Sequence, residues 1–224
     1  MPRLFDLSHA VEAGMVTYRG LPGPVITDHL SREASRALYA PGTTFQIGRI
    51  EMVANTGTYV DAPSHRWEDG ADLSRLPLEI LAGRPGISLK VPFADGLAIG
   101  ARALEGLDVA ACAVLFATGW SQFWGTSRYQ ERSAHLTRDA AELLAAKGAA
   151  IVGIDSHNID DTDDKTRPVH SILLRAGIPI VEHLRGLEAL PPTGFRFYAV
   201  PVKVVGMGTF PVRAFAEVDD GPSM

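Results

Sequence analysis

The chain has 224 residues, 46% of them apolar and 21% charged, with a formal net charge of −5. That is enough chain for one packed core, so a single domain over residues 1–224 is expected and disordered and fibrous classes are excluded. Lys and Arg are scattered, which excludes a phosphate-tracking basic stripe and with it a nucleic-acid partner.

Residues 1–6 hold no apolar stretch of signal-peptide length, and no uncharged run approaches the roughly 20 residues that span a bilayer. No membrane association and a cytoplasmic location are therefore expected. The first forty residues, rich in turn formers such as Tyr18-Arg19-Gly20-Leu21-Pro22-Gly23-Pro24, predict an irregular arm. Alternation over residues 45–52 predicts a strand with a bulge near Gly48, running directly into Asn55-Thr56-Gly57-Thr58. Further strands are predicted at residues 87–91, 113–118, 150–154, 178–181 and 195–205. Between them, Thr137 as N-cap and Gly148 as the left-handed terminator predict a helix over 138–147, and Pro168 opens a second that stops at Gly177. Strands alternating with helices indicate an α/β layered domain. The one cysteine, Cys112, lies in an apolar run and is expected to be a buried structural thiol in a reducing compartment.

The most informative stretch is Asn55-Thr56-Gly57-Thr58-Tyr59-Val60-Asp61-Ala62-Pro63-Ser64-His65, which packs polar side chains at the end of an apolar strand. On an extended chain, residues two apart face the same way, so Asn55, Gly57, Tyr59 and Asp61 would share a side. Pro63 would turn the chain so that His65 returns toward Asp61.

This stretch resembles the H-x-G-T-H-x-D-x-P-x-H signature of the cyclase and kynurenine-formamidase hydrolases. Gly57, Thr58, Asp61, Pro63 and His65 match, while Asn55 and Tyr59 stand where the signature has its two leading histidines. The resemblance extends to Asp6-Leu7-Ser8-His9, Thr118-Gly119-Trp120, Gly153-Ile154-Asp155, Pro168-Val169-His170 and Ile180-Val181-Glu182. It implies a swivelling β/β/α domain with a mixed, partly barrel-like sheet flanked by helices, assembled as a homodimer or homotetramer. It also implies hydrolysis of an amide or lactone of a small, aromatic-type metabolite at a divalent metal, zinc or manganese. Asp61, His170 and Glu182 match ligand positions and suffice for one metal; the loss of two imidazoles argues against two. His65 is the expected general acid/base, with Asp61 and Tyr59 also in the chemistry. Substrate contacts are expected from Asn55, Thr58, Trp67 and Trp120.

Two other readings stay open on the sequence. A metal-free cyclase of an aromatic polyketide-like intermediate needs only a base, His65 or Asp61, and an oxyanion donor, Tyr59. A non-catalytic ligand-binding relative is the other. His157 and His183 are candidates to replace a lost ligand, and Trp120, Phe123, Trp124 and Tyr129 either line a pocket or pack. The acidic run 160–164 lacks the glycine and glutamate of a calcium loop and predicts a solvated loop.

Overall fold

The computed structural model describes residues 2–219. In chain order the strands are β1 (Arg3–Asp6), β2 (Val25–Leu30), β3 (Ile47–Glu51), β4 (Tyr59–Asp61), β5 (Arg84–Lys90), β6 (Ala98–Ile99), β7 (Ala113–Ala117), β8 (His135–Leu136), β9 (Ile151–Ile154), β10 (Ile180–Glu182), β11 (Phe195–Tyr198), β12 (Thr209–Pro211) and β13 (Phe215–Val218). The α-helices are α1 (Arg32–Ser35), α2 (Leu78–Leu81), α3 (Arg138–Ala146) and α4 (Pro168–Arg175).

Nine strands form one mixed, curled half-barrel sheet in the order β1-β13-β11-β5-β7-β9-β10-β4-β12. Its centre, β5-β7-β9-β10, is parallel, and both flanks are antiparallel. Every residue of β7 is buried, which is why residues 113–117 read as an unbroken apolar run: a central parallel strand is covered on both faces. Val114 and Phe116 point to the face covered by α3 and α4, through Leu144 and Leu173. Ala113 and Leu115 point to the opposite face, closed by Leu7, Leu184 and Phe197. Burial of each such leucine is worth about 1.5–3 kcal/mol. The helices expected to flank the sheet are few, and among the described residues only α3 and α4 exceed one turn.

Several expectations need correction. The first forty residues are not one irregular arm: β1 is an edge strand of the main sheet, and β2 pairs with β3 in a separate hairpin. The irregularity expected near Gly48 lies on the partner strand, between Asp28 and Leu30, opposite Gly48 and Ile47. Nor does β3 run directly into the signature strand, because residues 52–58 loop between them and Gly57 takes a left-handed φ of 66°. The strand predicted over 195–205 ends at Tyr198, leaving an isolated bridge between Pro201 and Val212. Thr137 occupies the N-cap of α3 but its hydroxyl bonds the Asp139 carboxylate and the Ile99 carbonyl, not the helix backbone. Cys112 is half-buried and precedes β7, and burial with the nearby Asp108 pushes its thiol up, away from thiolate character. No helix among the described residues is long and apolar enough to cross a membrane.

Candidate active site

Sheet register assembles most of the site. Antiparallel pairing sets Tyr59 of β4 opposite Glu182 of β10, and on the other side sets Asp61 opposite Thr209 of β12. Since alternate residues of a strand share a face, Tyr59 and Asp61 emerge together. After Asp61 the chain bends into the single 3-10 turn Pro63–His65. Two glycines make room for this turn: a Cβ on Gly70 would come within 2.6 Å of the Pro63 carbonyl carbon, and one on Gly208 within 2.5 Å of the His65 nitrogen. His65 is thereby folded back over the strand end, with Nδ1 3.7 Å from Asp61 Oδ1.

The histidine of α4 is fixed differently. The buried Asp160 carboxylate accepts the backbone N–H of Val169 (2.7 Å) and of His170 (3.1 Å) at the start of the helix, where peptide dipoles favour an anion. The same carboxylate meets His170 Nδ1 at 2.6 Å. That contact holds the ring so that Nε2 faces the site, 3.7 Å from both Asp61 Oδ2 and Glu182 Oε1. A carboxylate behind a ligating imidazole is the usual support for a metal-binding tautomer.

The hydrogen bonds divide the carboxylates. Glu182 is fully engaged, accepting from the Tyr59 hydroxyl at Oε2 (2.6 Å) and from the Ile159 N–H at Oε1 (2.7 Å). Asp61 is not. Its Oδ1 accepts from the Thr209 hydroxyl (2.5 Å), but Oδ2 is buried without a partner. Because the Thr209 hydrogen is spent on Asp61, its oxygen is left to accept from His65 Nδ1–H at 2.8 Å, which keeps the lone pair of His65 on Nε2. A buried, unpartnered carboxylate oxygen facing an imidazole nitrogen fits a divalent cation. Asp61, His65 and His170 each offer one ligand atom, all within 4.8 Å of one another, and an Asp-His-His set suits zinc-class ions.

Electrostatics support the same picture. Burial alone would lower His170, but its hydrogen bond to Asp160 and the nearby Asp61 and Glu182 carboxylates push it up to about 10. Without a metal it is an imidazolium balancing the carboxylates. Burial pushes the Glu182 carboxyl up, against the pull of His170. Burial, then the Glu182 charge, pushes Tyr59 well above 10, so it is a neutral phenol donor and not a phenolate.

The structure brings Asn55, Tyr59, Asp61, His65, His170 and Glu182 together, all but Asp61 lining one cavity of about 270 Å³. Other predicted residues lie elsewhere. Thr58 is buried, accepting from the His9 N–H (3.0 Å) and donating to the His183 carbonyl (2.6 Å). Trp67 turns away from this cavity, its Nε1–H donating to the Ser171 carbonyl (3.1 Å). Trp120 is packed edge-on against Phe93 and Phe123, and its indole N–H donates to the Tyr129 carbonyl. Trp124 likewise packs on Tyr129. His183 stands behind Tyr59, with Nε2 3.3 Å from the phenol and Nδ1 2.8 Å from the Tyr129 hydroxyl, and burial keeps it neutral. His157 packs beside His183 and is also outside the Asp61–His65–His170 cluster.

Sequence reasoning missed Tyr18, Leu21, Asn158, Arg66 and Arg167, which complete the cavity wall, and Thr209. It also read Asp160 as part of a solvated run, whereas that side chain is 1% exposed. No local signal marked it, because the N-cap position is Arg167 and Asp160 reaches the opening turn of α4 only through the fold.

Comparison with known proteins accords with this geometry. Residues 5–161 match the Cyclase family model. The kynurenine formamidase of Salinibacter ruber is 31% identical over 173 residues, 77% of this chain and 80% of that one. That of Bacillus cereus is 28% identical over 168 residues, 75% and 78% of the two chains. A solved structure described as a potential metal-dependent hydrolase with cyclase activity superposes with a TM-score of 0.79 at 28% identity, covering 98% of this chain and 100% of that one. Isatin hydrolase A of Labrenzia aggregata, at 22% identity and TM-score 0.82 over 97% and 94%, shares the fold.

Proposed function

The chain belongs to the cyclase and kynurenine-formamidase family of hydrolases, and on that premise we propose that it hydrolyses an amide or lactone of a small, aromatic-type metabolite at one divalent metal ion, zinc or manganese. The observation that carries this reading is the orphaned Asp61 Oδ2 facing His170 Nε2, with the far side of His170 held by Asp160. Asp61 and His170 would hold the ion, with His65 near enough to join them, while Glu182, engaged by Tyr59 and Ile159, stands beside them. When bound there, a divalent ion supplies Lewis-acid charge stabilisation and acidifies water.

The chain's own residues do the rest. Asp61, through Thr209, holds His65 with Nε2 free, so His65 takes a proton during attack on the carbonyl and returns it to the leaving group. The Asn55 amide, on the cavity wall, orients the substrate. Tyr59 occupies a position where the family signature has a histidine, and its phenol donates to Glu182 in place of a second cation. We propose too that the chain works as a homodimer or homotetramer, since the β2–β3 hairpin exposes Val25, Ile26, Ile47 and Ile50.

Elemental analysis of tag-free protein at several pH values tests the metal reading. About one ion per chain is expected at neutral pH and above. Loss is expected as pH falls, because the ion displaces the His170 proton, which is held up to about pH 10 in its absence. Two ions per chain, or hydrolysis indifferent to chelation, contradicts the reading.

A further inference from the structure

Two carboxylates stand 3.7 Å from His170 Nε2, and the fold treats them oppositely. Asp61 keeps Oδ2 free, whereas both oxygens of Glu182 are capped, Oε1 by the Ile159 N–H and Oε2 by the Tyr59 hydroxyl. We propose, on the premise of a single ion at Asp61 and His170, that His183 and Tyr129 are positioning residues. With Tyr59 they form a one-way chain of hydrogen-bond donors that ends on Glu182 and keeps it out of the ligand set.

The direction of the chain follows from the hydrogens each member has to give. Tyr59 has one, and it is spent on Glu182 at 2.6 Å. Its oxygen therefore offers only lone pairs to His183, whose Nε2 lies 3.3 Å away, so that nitrogen must carry the ring hydrogen. The ring is fully buried, and burial keeps it neutral, so it has no second hydrogen. Nδ1 is then a lone pair, and it accepts from the Tyr129 hydroxyl at 2.8 Å. Donation runs from Tyr129 to His183 to Tyr59 to Glu182, each member polarising the next.

Packing alone does not produce these contacts. His157 lies in the same cluster, its ring centroid 5.9 Å from that of His183, and neither of its ring nitrogens has a partner among the described residues. The backbone at His183 is left-handed, with φ 57°, and the Thr58 hydroxyl donates to its carbonyl at 2.6 Å. Glycine or asparagine would take that conformation with less strain, so the turn itself does not call for an imidazole. A carboxylate whose charge is already shared with two donors attracts a cation less than a bare one. Breaking the chain therefore releases Glu182 toward the ion. Positioning and structural support then differ in sign, since damage to the site weakens metal binding whereas removal of a competing donor strengthens it.

The test is zinc affinity of the full chain, read by competition with a chromophoric chelator, together with histidine ring-nitrogen NMR. Parent His183 should show the Nε2–H tautomer, its signals identified by their loss in His183→Gln. Tyr59→Phe and His183→Leu should each bind zinc several-fold tighter than the parent, and Tyr129→Phe should show a smaller gain. His183→Gln, whose carboxamide donates to Tyr59 and accepts from Tyr129, should stay near the parent value. Tyr59→Phe and Tyr129→Phe each remove one oxygen and decide the matter if His183→Leu does not fold. Affinity that falls or stays level in Tyr59→Phe, a parent His183 with its hydrogen on Nδ1, or a His183→Gln that binds zinc as tightly as Tyr59→Phe overturns the proposal. A parent that holds no zinc refutes the one-ion reading; gain of zinc by Tyr59→Phe but not by His183→Gln would still uphold the chain, and no gain would overturn it too.

Discussion

The proton on His65 Nδ1 is fixed by Thr209, because that hydroxyl has already given its own hydrogen to Asp61 Oδ1. One threonine therefore ties the candidate base to the candidate metal ligand, and Asp61 can serve both with its two oxygens. His65 nevertheless stands close enough to join the ligand set, and the two roles separate on substitution. As a general acid/base, His65→Ala should lose about a hundredfold or more in turnover while metal content and melting temperature stay near the parent values. Loss of the ion along with activity, read by elemental analysis of the variant, would move His65 among the ligands instead.

At the scale of elements, the turn Pro63–His65 is wedged between two backbone segments rather than resting on side chains. Ala62 N–H donates to the Gly208 carbonyl (2.7 Å) and Ser64 N–H to the Ala71 carbonyl (3.0 Å). A Cβ at 208 would meet the His65 nitrogen at 2.5 Å and its Cα at 2.6 Å, and backbone atoms cannot swing aside as a flexible side chain does. Gly208→Ala should therefore cost about 1–3 kcal/mol and lower activity by displacing His65. Gly48→Ala, where nothing lies within 4 Å, is the matched control and should be near neutral by thermal unfolding. Equal melting temperatures for the two variants would mean the turn is looser than its geometry indicates.

For the whole molecule, the β2–β3 hairpin stands apart from the nine-stranded sheet and buries little. Ile26 and Ile50, paired across it, are 47% and 51% exposed. Two edges with apolar side chains on both strands are an association surface for a second copy. Light scattering of the parent should report a dimer or tetramer, and Ile26→Glu with Ile50→Glu should shift it toward monomer while the fold persists. A monomeric parent at micromolar concentration would remove the proposal.

The sequence by itself determined the α/β alternation, the central strands, helices α3 and α4 and, through the motif around Asp61, the family, because each is written in local periodicity or in a run of adjacent residues. It also marked Asp61, His65, His170 and Glu182. Only the tertiary structure decided which neighbours those residues acquire. Thr209 reaches Asp61 through strand register across a separation of 148 residues, and Asp160 leaves its acidic run because the opening turn of α4 offers it two N–H groups. Trp67 and Trp120, plausible substrate contacts by position, face partners of their own. Arg66 and Arg167, a hundred residues apart, meet on one cavity wall only in the fold. Spacing along the chain records which way a backbone runs, whereas the convergence of side chains depends on pairings between segments far apart in sequence, and that convergence is what makes a site.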